Sequence, residues 1–338
     1  MICLFKKSNV SRLIIALLIF ALFMPLSMDT FAGQLPDKLI PGGRTTGIKL
    51  YAEGAVVTGF ASKDSPAKQG GIRIGDVITS VDGNVIYDKN TLFNALSNAE
   101  DGDMEIGLNR NGAEIKLTVN AVYDNAKGAY SIGAAVKDTI AGIGTVTYIV
   151  PESGEYGALG HGITDPDTMS LVPFSEGVLM PSTVISVKKG EEGTPGELVG
   201  SYEMSKIQGS VDCNTNCGIF GKLSNYKDFC SKSAIEVADS SQVRKGKAYI
   251  LSNISKGDIE QFDIEIVDID CKNHGKKQMV IKVTDRDLLD STGGIVQGMS
   301  GSPIIQDGKL VGAVTHVLVN DPTRGYGIFI ENMLDAAG

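Results

Sequence analysis

A short glycine-rich segment near the end of the chain contains the residues best suited to nucleophilic chemistry. It reads Gly298-Met299-Ser300-Gly301-Ser302-Pro303 and lies between the apolar runs Gly294-Ile295-Val296 and Ile304-Ile305. Glycines permit a tight turn that leaves a serine hydroxyl uncovered. The amides of Gly298 and Ser300 can then point into one space, as an oxyanion hole requires. Because ordinary turns use the same residue types, this segment alone leaves a catalytic and a structural interpretation open.

The nucleophile predicted from this segment is Ser300. Ser302 is a poorer candidate, because it precedes Pro303 and has no pair of flanking glycines to free its hydroxyl. A serine also needs a base to accept its proton, and the chain has three histidines.

His161 is the predicted base. It lies in Gly157-Ala158-Leu159-Gly160-His161-Gly162-Ile163, where glycines on both sides give the ring space. His274 lies in a charged turn and is predicted to be inert. His316 lies in the strand-like run Val311–Val317, where packing is favoured over contact with substrate.

The sequence offers two candidates for the acid that orients the base. Asp285 follows the strand-like run Met279–Thr284, and a carboxylate at a strand end can be held rigidly. Asp165 lies close to His161 in the sequence and is the alternative. We predict Asp285 as the orienting acid.

The rest of the chain must position these residues. Its 338 residues suffice for two domains. The net charge is −9 and no basic run occurs beyond the N-terminus, which argues against a nucleic-acid partner. In residues 1–32, Lys6, Lys7 and Arg12 precede the apolar run Leu13–Met24. This pattern predicts a signal peptide or a membrane anchor, so the remainder acts outside the cytoplasm.

Residues 33–125 are predicted to form a linker and a small α+β domain. Ser65-Pro66 opens a short helix, Thr91–Ala99 forms a second one, and Asp82-Gly83 and Asn111-Gly112 are hairpin turns. The segment Ser65-Pro66-Ala67-x-x-Gly70-Gly71-Ile72 with Gly75-Asp76-Val77-Ile78 resembles a bacterial PDZ domain over about residues 44–122.

The PDZ resemblance implies binding of an extended peptide or a C-terminal tail. The carboxylate-binding loop is predicted at Thr46, Gly47, Ile48 and Lys49, through their amides. Leu92 and Leu96 are either core residues or ligand contacts.

Residues 126–338 are predicted to form an all-β domain, compatible with paired barrels or a sandwich. Its short apolar runs include the alternating segment Phe262–Ile266. Four cysteines follow the N-terminal segment, namely Cys213, Cys217, Cys230 and Cys271. Two disulfides, free thiols, or a zinc site with His274 all remain open. No metal or other cofactor is assigned.

The motifs together resemble the SpoIVB peptidase family, the stage IV sporulation protein B of endospore-forming Firmicutes. They are Leu-Gly-His-Gly-Ile, Val-Thr-Asp-Arg-x-Leu-Leu and Thr-Gly-Gly-Ile-Val-Gln-Gly-Met-Ser-Gly-Ser-Pro-Ile, after an export signal and a PDZ domain. The resemblance implies a serine endopeptidase with the triad His161, Asp285 and Ser300. The expected fold class is mainly β, with a small PDZ domain before a trypsin-like all-β peptidase domain.

The resemblance also implies a biological role. Family members are exported into the space between the forespore and mother-cell membranes, where they cleave a membrane-protein regulator and thereby trigger pro-sigma-K processing. They also cleave themselves under control of the PDZ domain. Self-cleavage is compatible with self-association of the chain. The alternative is a non-catalytic PDZ adaptor that tethers a membrane partner, but the intact Ser, His and Asp set favours the enzyme.

Two departures from trypsin-like enzymes stand out. Met299 occupies the position of the aspartate that pairs with a new N-terminus on activation. Asp285 lies close before the serine, whereas the trypsin-like acid lies far upstream in the first barrel.

Overall fold

β-Strands make up most of the regular structure in the computed structural model of this protein, as the sequence predicts. The structure describes residues 36–165, 171–229, 233–270 and 277–338. The predicted signal peptide or anchor, residues 1–32, lies outside the described residues, as do Cys230, Cys271 and His274. Within the described ranges, no helix has the length and apolar character needed to cross a membrane.

The strands and helices of the described residues are numbered in chain order. The strands are β1 (Lys38–Pro41), β2 (Thr45–Phe60), β3 (Val77–Val81), β4 (Asn84–Val85), β5 (Asp103–Arg110), β6 (Ala113–Asn120), β7 (Val122–Asp124), β8 (Ala129–Ser131), β9 (Ala134–Ile149), β10 (Glu155–Ala158), β11 (Glu176–Lys188), β12 (Glu197–Tyr202), β13 (Gly209–Ser210), β14 (Cys213–Thr215), β15 (Gly218–Lys222), β16 (Ile235–Glu236), β17 (Gly246–Ser252), β18 (Glu260–Ile269), β19 (Met279–Val283), β20 (Pro303–Gln306), β21 (Lys309–Leu318) and β22 (Asp321–Phe329). The helices are α1 (Pro66–Gln69), α2 (Lys89–Ser97), α3 (Arg286–Thr292) and α4 (Ile330–Ala337).

The C-terminal part of the chain closes into a barrel with the strand order β17-β18-β19-β22-β21-β20. In β18, Phe262, Ile264 and Ile266 are buried in the barrel core, while the residues between them are exposed. This alternation follows from the two-residue period of a strand. The closed barrel confirms the trypsin-like, mainly β fold class.

The N-terminal domain contains the predicted hairpins. Val81 pairs with Asn84 around the first turn, and Arg110 pairs with Ala113 around the second. In the second turn Asn111 has a φ of 53° and Gly112 a φ of 84°, as a two-residue hairpin turn requires.

Helix α2 begins with a capping box at Asp88. The Asp88 carboxylate accepts the Thr91 amide at 2.7 Å, and the Thr91 hydroxyl accepts the Asp88 amide at 2.9 Å. These bonds satisfy donors that a helix start leaves without intrahelical partners. Leu92 and Leu96 are buried in the core of this domain, which assigns both residues to packing.

A buried ion pair connects β5 to the segment before β3. Arg110 donates from Nε and Nη2 to the two carboxylate oxygens of Asp76, both at 2.7 Å. The Asp76 side chain is only 1% exposed. The hydrogen bond to Asp76 raises the pKa of the Arg110 guanidinium. Bidentate geometry of this kind is the strong form of the arginine–carboxylate contact.

The long strands β2 and β9 run through both predicted domains. They pair from Thr45–Thr145 to Phe60–Ala134. Near its start β2 also pairs with β11, and near its end with β3. The first residues of β9 pack on the PDZ core, whereas its last residues pair with β1 and β10. The predicted boundary between residues 125 and 126 stays a prediction, and the sheet of the second domain also receives residues 38–51.

The predicted carboxylate-binding loop is corrected by this pairing. Thr46, Gly47, Ile48 and Lys49 lie inside β2, where β9 pairs along one edge and β11 along the other. Their backbone therefore belongs to a central strand. An anion-binding loop needs amides that point at a ligand instead of a neighbouring strand.

Candidate active site

Ser300 lies in a turn whose conformation depends on glycine. Gly298 has a φ of 98° and Gly301 a φ of 95°, which L side chains rarely adopt. A Cβ atom added at Gly301 would lie 2.0 Å from the Thr145 carbonyl oxygen. The turn therefore packs its backbone directly on β9, while Ser300 remains partly exposed.

One residue of β9 fixes both carbonyls of this turn. The Thr145 hydroxyl donates to the Gly298 carbonyl at 2.8 Å, and the Thr145 amide donates to the Ser300 carbonyl at 3.0 Å. Across the described part of the chain, the N–H groups of Gly298 and Ser300 donate to no protein acceptor. Two amides held in this way beside a serine can stabilise an oxyanion.

The two serines of the turn have different surroundings. The Ser300 hydroxyl donates to the Thr315 carbonyl of β21 at 2.7 Å. Ser302 is fully buried, and its hydroxyl contacts the Ser252 hydroxyl at 3.2 Å. Only Ser300 is therefore accessible to a substrate, as the prediction of the nucleophile requires.

His161 reaches this site through a strained turn. Leu159 has a φ of 71° and Gly160 a φ of 69°, and such a value is unusual for leucine. The Leu159 amide donates to the Thr145 carbonyl at 3.1 Å. A Cβ atom on Gly160 would lie 3.0 Å from Thr315 Cγ2. The histidine turn thus lies against β9 and β21, the strands that also hold the serine turn.

The ring of His161 is oriented by its own backbone. Its Nδ1 lies 2.9 Å from the Gly162 carbonyl oxygen. A proton on Nδ1 would be donated to this carbonyl, which leaves Nε2 as the acceptor.

A second histidine, His316, lies beside the His161 ring. The ring centroids of His161 and His316 are 4.7 Å apart, with the planes tilted by 41°. His316 directly follows Thr315, the acceptor of the Ser300 hydroxyl, and is half-buried. The sequence gives no sign that the two histidines meet, because they are far apart in the chain, His161 in the turn after β10 and His316 in β21.

Comparison with known proteins decides the family. The model of the family described as SpoIVB peptidase S55 matches residues 128–334, and a PDZ domain model matches residues 61–110. The chain belongs to the SpoIVB peptidase family. This membership and the geometry around Ser300 support serine endopeptidase activity.

Several other proteins are similar to parts of this SpoIVB-family chain. Serine protease Do-like HtrA from Lactobacillus helveticus is 32% identical over 83 residues, which cover 24% of this chain and 20% of the relative. The chain thus spans about a fifth of the length of that curated relative. The active form of the Rv3671c protease from M. tuberculosis is 12% identical with a TM-score of 0.36, covering 58% of this chain and 73% of that one. The PDZ domain of the SdrC-like protein Lmo2051 from Listeria monocytogenes is 22% identical with a TM-score of 0.22, covering 25% and 87%.

In this SpoIVB-family peptidase, Met299 is a buried residue at the position where trypsin-like enzymes have the aspartate used in activation. Its side chain is 0% exposed and belongs to the barrel core. Burying a methionine side chain contributes about 1.5–3 kcal/mol. The residue between Gly298 and Ser300 is therefore anchored by packing.

Asp285, the triad acid that the SpoIVB resemblance implies, caps a helix in the structure. It is the N-cap of α3, and its carboxylate accepts the Leu288 amide at 3.0 Å and the Asp263 amide at 3.2 Å. Among the described residues, it makes no hydrogen bond to His161. The structure shows Asp285 as a helix cap, and its role as the orienting acid stays a prediction.

The position of Asp285 in the barrel agrees with its role as a cap. Its partner Asp263 lies opposite Tyr249 in β17. Ser252, which contacts Ser302, lies three residues further along β17. At about 3.3 Å per residue, the Asp263 backbone that Asp285 contacts lies roughly 10 Å along the strand direction from the level of Ser252 and Ser302.

Asp165, the alternative acid, is buried close after the histidine turn. It is 6% exposed, and its carboxylate lies 3.3 Å from Lys137 Nζ of β9. Its role beside His161 stays a prediction. Of the cysteines, Cys213 is exposed with a free thiol, whereas Cys217 is half-buried.

Proposed function

We propose that this chain is a serine endopeptidase in which Ser300 attacks the peptide bond and His161 transfers the proton. The observation that carries the proposal is the turn around Ser300. It combines an accessible hydroxyl with the two available amides of Gly298 and Ser300. The histidine turn packs on the same backbone atoms of β9.

The reaction follows from these positions. The Ser300 hydroxyl exchanges its hydrogen bond to Thr315 for one to Nε2 of His161. Its oxygen then attacks the scissile carbonyl carbon as its proton passes to His161. The carbonyl oxygen becomes an oxyanion, which accepts hydrogen bonds from the Gly298 and Ser300 amides.

Collapse of this intermediate breaks the C–N bond, and His161 gives the proton to the leaving amine. Water then attacks the acyl-enzyme in the same manner, with His161 as base. This second half releases the new carboxyl terminus and restores the Ser300 hydroxyl.

The proposed role of this activity is sporulation signalling. After export into the space between the forespore and mother-cell membranes, the enzyme cleaves a membrane-protein regulator and so triggers pro-sigma-K processing. The PDZ domain binds a peptide or C-terminal tail and controls self-cleavage. Family membership supports this role, and the basic and apolar pattern of residues 1–32 supports export with a cleaved signal or an anchor.

The activity is tested on the full chain with a fluorophosphonate probe, which reacts with activated serines, and by mass spectrometry of self-cleavage fragments. The unmodified chain is compared with Ser300→Ala, His161→Ala and Ser302→Ala. We expect labelling and fragments in the unmodified chain and in Ser302→Ala, and neither in the other two variants. Equal loss in Ser300→Ala and Ser302→Ala would contradict the assigned nucleophile.

The signalling role needs a second readout. Co-expression of the full chain with the membrane regulator, its intramembrane protease and pro-sigma-K should yield processed sigma factor, and Ser300→Ala should abolish it. Processing that persists in Ser300→Ala, with no labelling of the unmodified chain, would favour the PDZ adaptor.

A further inference from the structure

The peptide unit between Gly162 and Ile163 is hydrogen-bonded on both sides. Its carbonyl oxygen, on Gly162, lies 2.9 Å from Nδ1 of His161. Its N–H, on Ile163, donates to the side-chain oxygen Oδ1 of Asn214 at 2.8 Å. A trans peptide unit is planar, and its N–H and C=O point in opposite directions. The bond to Asn214 therefore fixes the direction of the carbonyl that orients the His161 ring.

The side-chain nitrogen of Asn214 holds the same segment. Nδ2 donates to the Ile163 carbonyl at 2.9 Å and to the Val172 carbonyl at 3.3 Å. Val172 also donates its own amide to the Ile163 carbonyl at 3.1 Å. One side-chain amide thus binds the N–H and the C=O of Ile163 together with the chain segment beside it.

Strand pairing places Asn214 at the level of the histidine turn. Asn214 in β14 lies opposite Ile219 in β15, and Ile219 lies opposite Ala158, the last residue of β10. Ile219 and Ala158 are both 0% exposed. The histidine turn begins directly after Ala158. Asn214 therefore reaches the turn from a backbone position next to the packed core.

The hairpin that carries Asn214 also contacts Gly162 directly. A Cβ atom added at Gly162 would lie 2.3 Å from the Thr215 carbonyl oxygen. The Thr215 hydroxyl donates to the Gly218 carbonyl at 3.2 Å and accepts the Cys217 amide at 3.2 Å. These two bonds fix the turn of the β14–β15 hairpin. The Gly162 backbone thus lies against a well-defined surface, which leaves little space for its peptide unit to rotate.

We propose that Asn214 is a positioning residue for the base. It acts through the Gly162–Ile163 peptide unit, which keeps the proton of His161 on Nδ1 and leaves Nε2 as the base. The inference rests on the proposed endopeptidase function, in which Nε2 accepts the Ser300 proton. A hydrogen bond to one side of an amide also polarises the group and strengthens the bond on its other side. Asn214 therefore directs the Gly162 carbonyl and makes it a better acceptor.

The test removes the side-chain amide at Asn214 and at a matched position. Gln306 of β20 binds the backbone in the same pattern. Its Oε1 accepts the Arg244 amide at 3.0 Å, and its Nε2 donates to the carbonyls of Arg244 and Lys247 at 2.9 and 3.2 Å. Asn214→Leu and Gln306→Leu each lose one acceptor bond and two donor bonds to the backbone. The bonds of Gln306, however, go to the start of β17 and not to the segment after His161.

The first readout is the tautomer of His161, which NMR of the full chain with isotope-labelled histidine nitrogens reports. The chain has three histidines, so comparison with His161→Ala assigns its signals. At about pH 9, where imidazoles are neutral, we expect the Nδ1–H form of His161 to predominate in the unmodified chain and in Gln306→Leu. Asn214→Leu should shift His161 towards the Nε2–H form, because the hydrogen bond at Nδ1 selects the tautomer.

The second readout is kinetic. Asn214→Leu should lower the rate of fluorophosphonate labelling, and kcat on a synthetic peptide that spans a self-cleavage site, about 10²-fold, as a misplaced catalytic group does. KM should stay within about threefold, because the change affects the chemical step. Gln306→Leu should keep both rates within about threefold. If leucine prevents folding at this position, the smaller Asn214→Ala should show the same two changes.

An unchanged His161 tautomer in the folded Asn214 variant, or a loss of activity no larger than in Gln306→Leu, would overturn the proposal. An unmodified chain that is neither labelled nor cleaved would instead refute the endopeptidase function. The tautomer would then decide by itself whether Asn214 positions the His161 ring.

Discussion

Two substitutions of Asp285 can distinguish a role in capping helix α3 from a role in catalysis. Asp285→Asn keeps an oxygen that can accept the Leu288 amide but removes the negative charge. Asp285→Ala removes both. If the carboxylate only caps α3, asparagine should largely replace it in activity, whereas alanine should weaken folding.

The structure sets the size of these effects. Loss of an N-cap costs about 0.5–2 kcal/mol, and the unpaired Asp263 amide adds about 1 kcal/mol. We therefore expect Asp285→Ala to lower the free energy of unfolding by about 1.5–3 kcal/mol, and Asp285→Asn by about 1 kcal/mol, since it loses only one of the two bonds. An acid that orients the catalytic histidine would instead cost about 10⁴-fold in kcat, or roughly 5.5 kcal/mol of transition-state stabilisation.

The assay combines urea unfolding with kcat on a synthetic peptide that spans a self-cleavage site found by mass spectrometry, measured where every variant is folded. We expect kcat of Asp285→Asn to stay within about threefold of the unmodified chain, because a cap does not contact the reacting atoms. A loss of about 10³-fold or more in Asp285→Asn, at nearly unchanged stability, would refute a purely capping role and show that Asp285 orients the catalytic histidine. His161→Ala provides the reference for a lost catalytic residue.

Three further changes test the surroundings of the site. Thr145→Val removes the hydroxyl that donates to the Gly298 carbonyl and should lower kcat about tenfold with little change in KM. This loss is smaller than the 10²–10³-fold loss caused by removing an oxyanion donor. Thr145→Ser should retain activity, and equal kcat in both variants would contradict the proposal that the Thr145 hydroxyl positions the turn. Gly301→Ala should abolish fluorophosphonate labelling, because its Cβ would overlap the Thr145 carbonyl; normal labelling would show that the turn can move away from β9. Arg110→Met leaves Asp76 buried without its partner and should cost about 3–5 kcal/mol in urea unfolding, whereas a loss below about 1 kcal/mol would show that water reaches Asp76.

Local patterns predicted the parts of the site that local geometry determines. The glycines around Ser300 fix the turn through their backbone angles, and Asn111-Gly112 determines its hairpin in the same way. The glycines beside His161 indicated a close approach of backbones, and the structure places that turn against β9. Each of these signals lies within a few residues of the feature that it predicts.

The remaining features depend on pairing between distant segments. The PDZ resemblance placed a carboxylate-binding loop at Thr46–Lys49, yet β9 and β11 pair with this segment from residues about 100 and 130 positions away. The role of Thr145 arises only when β9 meets the serine turn, and no local pattern distinguishes this threonine. Asp285 fits both a capping motif and a triad acid by sequence, and its hydrogen-bond partners in the structure show the cap.

The shared strands β2 and β9 limit how this protein can be truncated. A deletion of residues 44–122 would remove β2 and leave most of β9 without this partner, including the stretch that leads to Thr145. Loss of activity in such a chain would report a broken sheet, whatever the PDZ domain recognises. A deletion confined to residues 61–110, bridged by a short linker, retains the strand pair and is the cut that isolates peptide recognition. Because they share β2 and β9, the two domains are expected to unfold together as a single cooperative unit.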